Sequence, residues 1–326
     1  MSATPAMPST NPRRGVIAEW LVSAPGAAYL LVALTLGLWF ANVGFFSTQN
    51  LINIGLQSAV LLIVALGMTL VILTEGIDLS LGPVLGLTGV IMGLLVLQGM
   101  PIGYALAIAV LVGVTAGLIN GVLISYVEMP PFIVTLGMFG VAQSLAMVLT
   151  QGNSVTGLPP IVRWFNEGEW LAIPVPIWTT MALFALTYFL LYHTKFGRYV
   201  FAIGGNRRAL MLSGVPVRRY QTAVYAYAGL LTALASFIMT ARMNAAHPTV
   251  AIGVEFDAIA AVILGGTSFE RGHGGIWGTA MGAVAVAVLR NGLNLIGLGT
   301  EWQVAVVGMV IIGAVGIDAL RARRWA

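Results

Sequence analysis

Ten apolar runs follow one another along the chain, near residues 26–46, 51–73, 82–97, 102–124, 132–150, 173–192, 220–240, 257–266, 275–292 and 302–320. A bilayer core is about 30 Å thick and takes about 20 apolar residues of helix to cross. With no water there to satisfy it, the backbone must bond to itself, which leaves helices or closed barrels. Runs of this length predict an all-α membrane protein, a polytopic bundle of about ten transmembrane helices. The third and ninth runs are short. The eighth is too short to span straight, so it is expected either to extend backwards through Val250 or to form a broken, re-entrant helix. A water-soluble alternative fails on composition, because 59% hydrophobic and 8% charged side chains cannot cover a globule of 326 residues.

One long basic interruption breaks the pattern, from His193 to Tyr220, and it holds Lys195, Arg198, Arg207, Arg208, Arg218 and Arg219 of the fifteen Lys and Arg residues. Cytoplasmic connections carry the excess of Lys and Arg. Placing this loop inside also puts Arg13, Arg14, Arg271, Arg321, Arg323 and Arg324 inside. It leaves Arg163 and Arg242 in outer loops, with Arg290 near the outer end of the ninth run. The asymmetry predicts cytoplasmic tails at 1–24 and 321–326, a transmembrane domain at 25–320, a cytoplasmic loop at 193–220 and an outer loop at 151–172. A signal peptide competes for the first run, but that run exceeds a usual signal core and no convincing small-x-small cleavage site follows.

The net charge of +4 invites nucleic acid. Such binding needs a clustered basic face with aromatic residues, whereas these charges lie between apolar runs, so no nucleic-acid partner is expected. The chain has no cysteine, which removes disulfides, thiol nucleophiles and thiolate metal sites. His193, His247 and His273 show no ligand spacing, and no metal site is expected. Lys195, the single lysine, sits in Thr-Lys-Phe; a phosphate-binding P-loop needs Gly-Lys-Ser/Thr. No catalytic residues are expected, since no nucleophile, base and orienter can be assembled from the polar residues available.

Glycine spacing indicates how the helices meet. Gly113, Gly117 and Gly121, and again Gly274, Gly278 and Gly282, recur every four residues and make smooth stripes that a neighbouring backbone can approach. An internal echo accompanies them. Val71-Ile72-Leu73, a polar break and a glycine-rich run are followed later by Val262-Ile263-Leu264, another polar break and another such run. Both units run outside to inside and back, the sense of a parallel repeat in transporters.

Between Glu19 and Glu128 the acidic residues are Glu75 and Asp78, in Thr-Glu-Gly-Ile-Asp-Leu-Ser. Carboxylates beside a membrane span are costly and should face a wet cavity, a partner or a helix end. One reading has Gly76 ending a helix and Asp78 capping the next; the other has the pair lining or gating a path. Glu255 and Asp257, at the start of the eighth run, are expected to cap it, and their spacing places them on different helix faces. In the outer loop, Arg163, Trp164, Glu167 and Glu169 offer either an interfacial aromatic belt or a docking surface for an outside protein. Within the basic loop, Asn206 reads as an N-cap, Arg207 to Ser213 as helix, and Gly214 with Pro216 as a stop. This predicts a helix of about two turns, too short to stand alone. Its Ala209, Leu210, Met211 and Leu212 are apolar and call for a groove on a partner or, failing that, the lipid surface.

Five strings resemble the ribose-type permeases of bacterial ABC importers: Thr74 to Ser80, Pro130 to Gly137, Gly204-Gly205-Asn206 with Leu212-Ser213-Gly214, Asp257 to Ala261 with Gly265 to Ser268, and Asn291 to Leu295. The resemblance runs in register from about residue 50 to 320. It implies the type II importer fold in the bacterial inner membrane. It further implies a homodimer or heterodimer of permeases joined to two cytoplasmic ATPases, which bind the ATP and magnesium, and fed by a periplasmic sugar-binding protein. Residues Gly205 to Gly214 then form the ATPase-coupling helix. Glu75, Asp78, Ser80, Asp257, Asn291 and Asn294 are the candidates for a translocation path or gate. The cargo implied is a monosaccharide or small polyol. The same scaffold could carry a branched amino acid or a nucleoside. An ion-coupled transporter is the third reading, and it requires titratable groups at mid-bilayer, of which none is clearly placed. The family commonly has Glu-Ala-Ala after Gly-Gly-Asn. Here Arg207-Arg208-Ala209 puts two cations where the helix dipole disfavours them, so an acidic partner groove, or a second and different permease, is expected.

Overall fold

A computed structural model describes residues 26–41, 44–268 and 272–324. The expectations for residues 1–24 and Arg271 lie outside them. Twelve helices occur among the described residues: α1 (Gly26–Ala41), α2 (Thr48–Leu73), α3 (Leu81–Leu97), α4 (Ile102–Ser125), α5 (Pro131–Thr150), α6 (Pro160–Glu167), α7 (Val175–His193), α8 (Lys195–Leu212), α9 (Val217–Met243), α10 (Val254–Leu264), α11 (Ile276–Leu295) and α12 (Thr300–Arg324). A two-residue hairpin, β1 (Glu169–Trp170) with β2 (Ile173–Pro174), joins α6 to α7. Each apolar run becomes a helix, and α12 continues through Arg324, into the stretch expected to be a tail.

Six helices, α2, α4, α5, α7, α9 and α11, are long and apolar enough to cross a membrane. The expected number of about ten is therefore met by length and composition in six of them. The apolar parts of α1, α3 and α12 are shorter. The helix α10 has 11 residues, which is about 16 Å, or half a bilayer core.

The eighth run does not extend back through Val250 as helix. Asn244, in the left-handed region at φ 50°, ends α9, and residues 244–253 continue without helix. Their backbone is satisfied by protein. Val155 and Ala246 exchange bonds of 2.8 and 3.0 Å, and the Gln143 amide donates to the Pro248 carbonyl at 3.2 Å. Non-helical backbone survives at membrane depth only where protein or water supplies such partners.

The core is organised on α2, whose residues from Ala59 to Leu73 are almost all buried. A serine cap starts it, Ser47 accepting from the Asn50 N–H. Glycine stripes set the closest approaches. A Cβ on Gly117 would collide with the Tyr225 carbonyl of α9, and one on Gly282 with the Ala261 carbonyl of α10. Gly274 falls just ahead of α11, whose first residue is Ile276.

The internal echo is geometric as well as textual. After α2, Glu75 donates to the Ile72 carbonyl and Gly76 to that of Val71. After α10, Gly266 donates to the Ile263 carbonyl and Thr267 to that of Val262. Glu75 and Gly266 both take positive φ, 60° and 81°. Two helices thus end in the same left-handed cap, which satisfies their last carbonyls.

Overpacking a close helix contact costs roughly 1–3 kcal/mol. Gly117→Leu is therefore expected to lower the unfolding midpoint of the detergent-solubilised protein. Gly137→Leu, where a side chain meets nothing within 4 Å, is expected to leave it unchanged. Equal midpoints would contradict the packing described.

Candidate functional site

Three sets of polar groups are built into this frame. The first is the basic segment. The α8 helix is kinked in its second half, where Asn206 is non-helical (φ −162°, ψ 86°) and separates residues 195–205 from 207–212. The Asn206 carboxamide oxygen accepts the Ala209 N–H at 2.9 Å, as an N-cap does. At the other end Gly214, at φ 78°, donates to Met211 and Val215 donates to Leu210. Ser213 adds a hydroxyl bond to the Ala209 carbonyl.

The short helix is thus capped at both ends, and its faces differ. Leu212 is 83% exposed and Met211 46%; Gly205, Arg208 and Ala209 are also exposed, whereas Leu210 and Arg207 are half-buried. Leu210 therefore finds cover within the chain, contrary to the expectation that all four apolar residues lack it. The Arg207 Nε is buried without a hydrogen-bond partner among the described residues.

The stem of the segment, residues 195–205, was not legible as helix in the sequence. It rests on both helix breaks: a Cβ on Gly204 would strike the Leu73 carbonyl and lie 2.8 Å from the Gly272 Cα. Arg218 pairs with Glu128 at 2.9 Å, which links the start of α9 to the α4–α5 connection.

The second set lies at the α2–α3 break. Glu75 is exposed, and its left-handed backbone, rather than Gly76, forms the helix end. Gly76 is required for space, since a Cβ there would strike the Tyr225 hydroxyl. Asp78 is 1% exposed. One of its oxygens accepts the Ser80 N–H at 2.9 Å and the Ser80 hydroxyl at 2.5 Å, and the Asn120 amide donates to Ser80 at 3.0 Å. Asp78 therefore closes a local turn ahead of α3 and reaches none of the first-turn N–H groups beyond Ser80. Asn120, a polar residue inside an apolar run, was the sequence signal for this contact.

The third set surrounds the start of α10. Glu255 is fully buried. One carboxylate oxygen accepts the Gly253 N–H at 3.0 Å, while the other has no partner among the described residues and faces the space that Gly82, at the α3 start, leaves open. Glu255 is thus a titratable group inside the bundle, where its place in the sequence suggests only a cap. No side-chain cap bond starts α10; Asp257, expected as a cap, instead binds Arg290 of α11 at 2.7 Å. An arginine in an apolar run needs such a partner, and this was the missed signal. Asn291 forms a reciprocal amide pair with Asn50, at 2.8 and 3.1 Å, and pins α11 to the start of α2. Asn294 accepts from Gln303 of α12 at 2.8 Å. The six path candidates are therefore spread over separate sites; Asp78 and Ser80 share one, and Asp257 and Asn294 line one cavity.

In the 151–172 loop, α6 buries Val162 and sets Phe165 against Phe237, with ring centroids 4.5 Å apart and the planes tilted by 47°. That leaves Arg163, Trp164, Glu167 and Glu169 exposed, with Arg163 and Glu167 paired at 2.6 Å.

Helices that break inside the bundle and gather polar groups there are the architecture of a multi-pass membrane permease. Residues 50–315 match the family described as branched-chain amino acid transport system / permease component, and the chain belongs to that family. It is 40% identical to the ribose import permease protein of Escherichia coli K12 over 310 residues, which is 94% of this chain and 96% of that one. It is 36% identical to the D-allose transport system permease protein of the same strain, over 85% of each chain. The fructose import permease protein of Bifidobacterium longum is 33% identical over 84% of this chain and 82% of its own length. No solved structure matches the chain.

If Asp78 holds the α2–α3 turn, Asp78→Ala leaves the Ser80 donors unpaired and lowers stability by about 1–3 kcal/mol. Asp78→Asn keeps an acceptor oxygen and is expected to retain most of that stability. Unfolding of the two purified variants checks this; equal losses would contradict the turn-closing role.

Proposed function

We propose that this chain is the membrane-spanning subunit of an ATP-binding cassette importer that carries a monosaccharide or related small polyol across the bacterial inner membrane. On this reading about ten helices cross the bilayer, with both termini and α8 cytoplasmic and α6 outside. Two such permeases, identical or paralogous, sit on two ATPase subunits that bind ATP and magnesium. A periplasmic sugar-binding protein delivers cargo to the α6 side.

The observation that carries this reading is the capped 207–212 helix, which turns Arg208, Met211 and Leu212 outward while its stem rests on both helix breaks. A short helix with exposed apolar residues suits a groove on a partner. Closure of the ATPase pair would then displace the stem and, through it, the breaks. Arg207 and Arg208 at the helix start favour an acidic groove. The cargo class is supported by relatives named for ribose, allose and fructose. The family description, which names branched-chain amino acids, keeps the same scaffold with a non-sugar cargo as the runner-up. An ion-driven transporter would use a group such as buried Glu255, and it predicts uptake by the purified permease alone.

The test is uptake of labelled D-ribose, D-allose and D-fructose into proteoliposomes holding the permease, its ATPase and its binding protein. The double substitution Met211→Ala, Leu212→Ala is expected to cut sugar moved per ATP hydrolysed by about tenfold, since exposed anchors of a groove carry most of such an interface. An unchanged ratio would contradict the groove reading.

A further inference from the structure

A cavity of about 460 Å³ opens between α2, α9, α10, α11 and α12. Its polar lining is Gln57, Arg242, Asp257, Arg290, Asn294 and Gln303, and its remaining walls are largely aliphatic. Several of these groups have bonding capacity left over. Asp257 uses one oxygen for Arg290. The Arg290 Nε is buried with no partner among the described residues. Asn294 spends its oxygen on Gln303, whose own amide nitrogen is shared with the Leu298 carbonyl. That leaves the Asn294 amide nitrogen and the Gln303 oxygen free to bond. Gln57 and Arg242, both half-buried in this lining, make no side-chain hydrogen bond or ion pair among the described residues.

The remaining valences are therefore mixed. Donors come from two guanidinium groups and the Asn294 amide; acceptors come from the second Asp257 oxygen and the Gln303 oxygen; the Gln57 amide supplies both. An anion site would not place a carboxylate among its donors, and a cation site would not place two arginines. A hydroxyl donates and accepts at once, so a ligand with several hydroxyls on a compact carbon frame uses such a set fully, with its C–H face on the aliphatic walls.

We propose that this cavity is a polyol-binding chamber within the subunit, which holds a monosaccharide between its delivery and its passage past the helix breaks. The proposal rests on the sugar-importer reading and adds that the permease itself discriminates among sugars. Gln57 and Arg242 are the residues that test it, because they bond to nothing else whose loss would disturb the fold.

The experiment uses the complete importer in proteoliposomes with D-ribose, D-allose and D-fructose, comparing wild type with Gln57→Leu and Arg242→Met. Gln57→Asn and Arg242→Lys stand in wherever the first variant fails to assemble. A structural role scales all three uptake rates together. The chamber predicts that the pentose-to-hexose rate ratio shifts, by about tenfold for each hydrogen bond lost to one sugar and not another. It also predicts a saturable D-ribose, D-allose or D-fructose signal in saturation-transfer NMR of the permease without its binding protein, weakened in the variants. Transport of sugar with an unmoved ratio and no saturable signal overturns the chamber alone. A wild-type complex that moves none of the sugars overturns the importer reading and the chamber together.

Discussion

Backbone N–H and C=O groups cannot go unpaired inside a bilayer, and each helix break in this protein exists only because something else supplies the missing partners. The α2 and α10 ends meet the requirement in the same way, with a left-handed residue that folds the next N–H groups back onto the last carbonyls. Where the chain then leaves the helix, side chains take over. Asp78 and Ser80 close one turn, and Thr267 accepts the Gly275 N–H at 3.2 Å in the other. Neighbouring helices hold the α2–α3 break as well: the Asn120 amide donates to Ser80 at 3.0 Å and the Thr135 hydroxyl to the Ile77 carbonyl at 3.2 Å.

The two breaks also share one contact. Gly204 lies against the Leu73 carbonyl on one side and Gly272 on the other, so the stem of α8 touches both breaks where neither has a side chain to yield. The exposed 207–212 helix joins this three-way contact through Asn206 on one side and joins α9 through residues 213–216 on the other. Beyond the breaks lie the buried carboxylates and the cavity with Asp257 and Arg290. The proposed importer uses this order of parts: partner surface, stem, breaks, cargo space.

Much of this was legible in the sequence. Apolar length marked every helix that forms from an apolar run, four-residue glycine spacing marked the α4–α9 and α10–α11 contacts, and Asn206 with Gly214 marked both ends of the short helix. The half-length α10 was anticipated as one of two alternatives. Other features escaped for physical reasons. The 195–205 stem carries three glycines in eleven residues, and it is helical because tertiary contacts hold it there. Pairs such as Asp257 with Arg290 and Asn50 with Asn291 bring together residues far apart in the chain, and spacing rules see only neighbours. The α6 helix, with eight residues, is fixed by Val162 and Phe165 against the bundle and has no run long enough to announce it.

Backbone contact of Gly204 with Leu73 and Gly272 makes the α8 stem and the two breaks one body in the proposed importer. The chain has no cysteine, so introduced thiols label it uniquely. Glu75, Gly205 and Gln98 are exposed, and pairwise cysteine substitutions there carry spin labels in the assembled importer. Motion as one body predicts that the distance between Glu75→Cys and Gly205→Cys stays constant when ATP is added, while the distance from Gly205→Cys to Gln98→Cys, at the far end of α3, changes. A change between 75 and 205 with a constant distance to 98 would contradict it.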